Sequence, residues 1–205
     1  MQYYVEKTRD TVGLCLSAAS IYAVYTEHEQ LSMRLPYLFF GFFVLDLPFA
    51  SDTHRVHHAI GIAISFYNAL VGDFAPMRNV VLATEYSTPF YYALFYAPKE
   101  YKPALKTLFF ASFYTYRIHN FGLALFRFKA FQYPYPFLAL SSLYSLFGLN
   151  LLWFSMMVKR LSFDGRCAAA LFVGFSMYLT LISRGLYTPP ELAAVYCEAF
   201  PYHLM

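Results

Sequence analysis

"YPFLALSSLYSLFGLNLLWFSMMV", residues 135–158, contains no Asp, Glu, Lys or Arg and is closed by Lys159 and Arg160. A helix needs about 20 largely apolar residues to cross a hydrocarbon layer, and a run of this kind with a basic flank meets that need. Working outward, six further apolar stretches occupy 11–26, 35–50, 56–72, 77–97, 104–126 and 168–187. The segments around them, "PFASD" (48–52), "VGDFAP" (71–76), "APKEYKP" (97–103), "YPYP" (133–136) and "SFDGR" (162–166), bring Pro, Gly or Asp where helices should stop. Hydrophobic residues make up 59% of the chain and charged residues 13%, with a mean hydropathy of +0.43. That balance is too apolar for an ordinary soluble domain. An open sheet cannot satisfy its backbone in lipid, so the expected fold is all-α: a polytopic membrane helical bundle with six to seven transmembrane helices. The lower count allows for the short first spans and for Asp46 inside the second.

Aromatic residues, 21% of the chain, gather at segment ends such as Tyr3, Tyr4, Tyr133 and Tyr135, where amphipathic rings suit a membrane interface. The net charge of +3 and the lack of a Lys/Arg run exclude the electrostatic footprint of a nucleic-acid binder. Cys15, Cys167 and Cys197 are too scattered for a disulfide framework or a thiolate zinc site. "MQYYVEKTRD" (1–10) leads into a retained first span or a membrane-docked helix rather than a cleaved signal or transit peptide. The short connections leave no room for a second domain. The chain therefore reads as an N-terminal region with the first span (1–34), a helical core (35–160), and a last span with an interfacial tail opened by Pro189 and Pro190 (161–205).

With seven crossings, Lys7, Arg9, Arg55, Lys99, Lys102, Lys106, Lys159, Arg160 and Arg166 fall on one side. Arg34, Arg78, Arg127 and Lys129 fall on the other, so the first side faces the cytosol or a mitochondrial matrix.

Ionisable groups inside apolar spans are costly and should face one another in the bundle interior. Asp46, at the end of one span, and His57 and His58, at the start of the next, should lie at similar depth across a hairpin. A carboxylate there would fix an imidazole tautomer as a general base requires. His54, His57 and His58 stand at i, i+3 and i+4. They fit three readings: a metal site with Asp46 or Asp52, a metal-free polar site, or histidines at the membrane surface. No H-E-x-x-H accompanies them, and no metal is assigned. Glu85 lies mid-span in "ATEYSTPF" (83–90) with Ser87, Thr88 and Pro89. The missing N–H of Pro89 should leave the Glu85 carbonyl free for a hydroxyl or a ligand. Arg117 lies mid-span in "FFASFYTYRI" (109–118) and should pair with Glu85 or a lipid phosphate. In "LFGLNLLWF" (146–154), Asn150 and Trp153 share a helix face, where the amide can tie helices together and the indole can cover a cavity. Gly61, Gly122 and Gly148 would permit close helix approach.

The ordered set of an Asp46-bearing span, "HRVHHAIGIAISF" (54–66), "ATEYSTPF", "FFASFYTYRI" and "LNLLWF" (149–154) before a basic flank resembles the TLC-domain family. This is the multi-span domain of ceramide synthases and related membrane proteins, and the likeness covers residues 35–160. It implies a lipid pocket in a helical bundle opening near His57 and His58, which in ceramide synthases belong to the catalytic centre. It also implies residence in the endoplasmic reticulum. Ceramide synthases carry an HD-x-S-D type segment in the following helix. Here "TEYST" stands instead, and Glu85, Ser87 and Thr88 match the E-x-S-T-P pattern of the non-synthase branch.

Three functions follow. The preferred one is a protein that binds or regulates lipids, with His57, His58, Glu85, Ser87, Thr88, Arg117, Asn150 and Trp153 toward an acyl chain or sphingoid lipid; membrane lipids are then its partners and no cofactor is needed. The second is an accessory subunit of a larger membrane-protein assembly, such as a respiratory or ATP synthase complex of the mitochondrial inner membrane. The third is an N-acyltransferase using acyl-CoA, in which His57 or His58 deprotonates the sphingoid amine and Asp46 orients the imidazole.

Overall fold

The computed structural model describes residues 2–71 and 75–183. The tail expected after Pro189, Cys197 within it, and the side chains of Tyr3 and Tyr4 lie outside the described residues. All regular structure among the described residues is helical. The order is α1 (Gln2–Tyr25), α2 (Glu29–Asp46), α3 (Asp52–Val71), α4 (Ala75–Ala83), a 3₁₀ turn (Thr84–Ser87), α5 (Thr88–Tyr96), α6 (Lys102–Ser112), a π-helical segment (Phe113–Asn120), α7 (Phe121–Arg127), α8 (Pro136–Lys159) and α9 (Phe163–Ser183). Two compact units divide at Leu152 and Trp153, within α8.

Local chemistry sets these breaks. Glu27 adopts a left-handed φ of 53°, and the His28 N–H turns back to the Ala23 carbonyl at 2.9 Å, ending α1. His28 then caps α2 by accepting the Leu31 N–H on Nδ1 at 3.2 Å. At the next interruption Pro89 lacks the N–H that would bond the Glu85 carbonyl, and the chain tightens into the 3₁₀ turn. The Thr88 N–H bonds that carbonyl instead. The carbonyl expected to be free is therefore satisfied within the turn.

In the first unit α4 contributes to two apolar clusters. Met77 and Val80 pack with Tyr67 of α3, Phe121 of α7 and Leu143 of α8. Leu82 and Ala83 pack with Ala23 of α1 and with Leu35, Phe39 and Phe43 of α2. Gly61 of α3 lies directly against the Phe43 ring, which a Cβ would overlap, and a Cβ on Gly122 would come within 3.0 Å of the Phe147 ring. These two meet the expected close approach. Gly148 does not: a Cβ there would have no neighbour within 4 Å.

Among the described residues, Pro136–Lys159 is the one helix long and apolar enough to cross a membrane by length and hydropathy. The described parts of the other stretches read as crossings are helical but do not meet that test. The fourth is divided into α4, the 3₁₀ turn and α5, and the fifth into α6, the π-helical segment and α7. The second retains Arg34 and Asp46, and the third opens with Asp52, His54 and Arg55.

Polarity is distributed unusually between surface and interior. Leu45 is 75% exposed, Phe66 51%, Phe126 88% and Leu171 75%, while Ser17, Ser20, Ser32, Asn68, Arg78, Ser87, Arg117 and Asn150 are buried. Arg78, read from sequence as a loop charge, is one of these interior residues.

Candidate functional site

The widened π-helical segment carries Arg117 to the 3₁₀ turn, and insertions of this type recur at functional sites. Arg117 Nε donates to the Thr84 carbonyl at 3.0 Å and to Ser87 Oγ at 2.8 Å, and Nη2 donates to Thr88 Oγ1 at 3.0 Å. Nη2 is also 3.6 Å from Glu85 Oε1. Thr88 Oγ1 donates in turn to Glu85 Oε2 at 2.7 Å, and Ser17 Oγ of α1 donates to the same oxygen at 2.8 Å. The Phe113 ring lies beneath the guanidinium, 5.4 Å from its carbon, and Tyr86 stacks on Tyr116 at 4.4 Å. The structure thus brings together Glu85, Ser87, Thr88 and Arg117, four residues expected at the site, as one hydrogen-bonded lock. Every member has a named partner, as a buried ion pair requires.

The histidines do not act as one group. His58 Nδ1 lies 3.5 Å from Asp46 Oδ2, within ion-pair range, but makes no hydrogen bond among the described residues. Asp46 is also reached by Arg9 Nε at 4.0 Å. Arg9 holds Asp10 at 3.3 Å, and Tyr96 donates its hydroxyl to Asp10 at 2.9 Å. His57, the preceding residue on α3, has its ring centroid 5.7 Å from that of His58 and lines a cavity that His58 does not. His54 is exposed and meets Ser51 Oγ at 2.7 Å at the start of its helix. Among the described residues no three His, Cys, Asp or Glu side chains gather in a metal-binding group.

The cavity measures about 60 Å³. Pro36, Phe39 and Phe43 of α2, Ile64 of α3, Val81 and Leu82 of α4 and Leu146 of α8 form its apolar wall. His57, Ser65, Asn68, Arg78, Thr84 and Glu85 bring polar groups to it. Arg78 Nε donates to Ser32 Oγ at 2.9 Å, and the Ser32 hydroxyl donates in turn to Asn79 Oδ1 at 2.6 Å. Ser17, Asn68, Arg78 and Arg9 were missed from sequence. The polar spacing of Ser17 and Ser20 within the apolar second half of α1 was the available signal for the first of them.

Asn150 and Trp153 are not among the residues lining the cavity, and Trp153 opens the second unit. Asn150 is 0% exposed, yet neither amide atom has a hydrogen-bond partner among the described residues. The helix-tying bond expected of it is not made there. An orphaned buried amide costs about 1–3 kcal/mol, so Asn150→Leu is expected to leave stability unchanged or raise it by up to about that much. Unfolding midpoints in detergent check this. A loss above about 1 kcal/mol would mean that the amide holds a partner.

No family model, curated protein or solved structure matches the chain.

Proposed function

We propose that this chain is a polytopic membrane protein of TLC-domain type whose first unit binds a lipid without acting on it. The observation that carries the reading is where polarity is placed: large apolar side chains face outward, and serines, asparagines and arginines share the interior with the apolar clusters. In water, such a surface would leave extensive apolar patches exposed, and so many buried polar groups would be costly unless hydrogen-bonded. In hydrocarbon, both become favourable, because lipid solvates the outer residues and the polar groups satisfy one another inside. Breaks in the fourth and fifth spans fit the same setting. Non-helical or wide-turn backbone is tolerated at membrane depth when protein surrounds it, as the Glu85–Arg117 lock does here.

Binding is favoured over acyl transfer by the division of the histidines. The imidazole beside Asp46 is that of His58, whereas the one lining the cavity is that of His57. A base oriented by Asp46 at the cavity would need both properties in one residue.

Cys15, exposed on α1, provides the test. In membranes containing a Cys167→Ala/Cys197→Ala chain, Cys15 is expected to resist a charged methanethiosulfonate and to react once the protein is denatured in detergent. The chain should also stay in the pellet after alkaline carbonate extraction and yield about one lipid per molecule by mass spectrometry. Rapid labelling of Cys15 together with release into the carbonate supernatant would overturn the reading.

A further inference from the structure

Arg78 stands apart from the other buried arginine. Arg117 has Glu85 and three further acceptors, whereas Arg78, 5% exposed, makes one side-chain hydrogen bond, from Nε to Ser32, and no ion pair among the described residues. A buried guanidinium with no counter-charge is costly, and an arginine fork is shaped to hold a carboxylate through two parallel hydrogen bonds. Arg78 lines the cavity. Asn68, 4% exposed, lines it too, and its Oδ1 has no hydrogen-bond partner among the described residues. The two ends of an amide exchange by a simple flip, so this orphaned position can present an N–H to an anion. Ser65 adds a hydroxyl to the same wall, and the remainder is largely aliphatic and aromatic.

We infer that the cavity takes the head of a single-chain carboxylate amphiphile, a free fatty acid, with its carboxylate on Arg78 and Asn68 and its first methylenes against Phe39, Phe43 and Leu146. A volume of about 60 Å³ admits a carboxylate and the start of a chain. Glu85, the acid on the cavity wall, is already held by Arg117, Thr88 and Ser17 and is not available to neutralise Arg78.

This inference rests on the proposed lipid-binding function, and the experiment separates the two. Purified, delipidated full-length protein in a non-ionic detergent is titrated with radiolabelled palmitate, hexadecanol and lysophosphatidic acid. Saturable palmitate binding is expected, at least tenfold tighter than that of hexadecanol, which has the same tail without charge, and tighter than that of lysophosphatidic acid. Arg78→Gln should lower palmitate affinity at least tenfold and leave hexadecanol binding unchanged, while Arg78→Lys should keep part of the preference. Equal binding of palmitate and hexadecanol by the wild-type chain would overturn the carboxylate assignment, without any variant having to fold. Preference for lysophosphatidic acid would overturn it in favour of a phosphate head. If none of the three binds, both the inference and the lipid-binding function fall.

Discussion

Replacing Arg117 by alanine is expected to cost about 3–5 kcal/mol of stability, the range found when one partner of a buried ion pair is removed. The loss is large because one side chain serves three elements. Without it, the Thr84 carbonyl and Ser87 Oγ lose a donor, and the Glu85 carboxylate keeps only the hydroxyls of Ser17 and Thr88. Water cannot readily replace the guanidinium at a residue 7% exposed. Arg117→Lys should recover part of the loss, because an ammonium can meet Glu85 but cannot span the carbonyl and both hydroxyls in one plane. Glu85→Gln/Arg117→Met should cost less than Arg117→Ala alone, since it removes both charges and leaves none uncompensated. Thermal unfolding of the purified protein in one detergent measures the series. A cost below about 1 kcal/mol for Arg117→Ala would mean that the pair is solvated and that the lock is not what holds the 3₁₀ turn to the π-helical segment.

That lock is also where the sequence was most legible. A carboxylate and a guanidinium, each alone in the middle of an apolar run, have few partners other than one another, so Glu85 and Arg117 could be paired before any coordinates. Ser87 and Thr88 followed because they lie within one turn of Glu85. The helical class was legible for the same kind of reason: long apolar runs broken by Pro, Gly and Asp leave little other regular structure available. The shape of the fourth and fifth segments was not. Pro89 marks a break but does not say whether it becomes a kink or a 3₁₀ turn, and "FFASFYTYRI" contains nothing that separates a π-helical segment from an α-helix. Arg78 was misread because it sits beside "VGDFAP", where a basic residue ordinarily belongs to a loop; its burial depends on Ser32, 46 residues earlier. The histidines show the opposite limit. Adjacent residues on a helix point about 100° apart, so "HH" did not say which ring meets Asp46 and which meets the cavity.

Phe43→Ala should be the next most damaging change, and its partner Gly61 makes it informative. The ring of Phe43 lies on Gly61, 4.9 Å from the His58 ring centroid and 5.6 Å from those of Phe39 and His57, and it forms part of the cavity wall. Removing a buried ring costs about 3–5 kcal/mol in a soluble core. Under the proposed membrane setting the chain unfolds within lipid, and the transfer part of that cost shrinks, because lipid is as apolar as the interior, while the cavity part remains. A loss nearer about 2 kcal/mol is then expected, still above that of an ordinary substitution. Gly61→Ala alone places a methyl on the ring and should cost about 1–3 kcal/mol. In the Phe43→Ala background the same methyl enters vacated space, so its cost should vanish or change sign, giving a coupling of about 1–3 kcal/mol. Identical costs in the two backgrounds would mean that the α2–α3 contact is not formed. The binding consequences run in parallel: a wider cavity in Phe43→Ala weakens the grip on the first methylenes without touching Arg78. Palmitate and hexadecanol affinities should therefore fall by the same factor there, whereas Arg78→Gln lowers palmitate alone, so the wall and the charge contribute separately to one site.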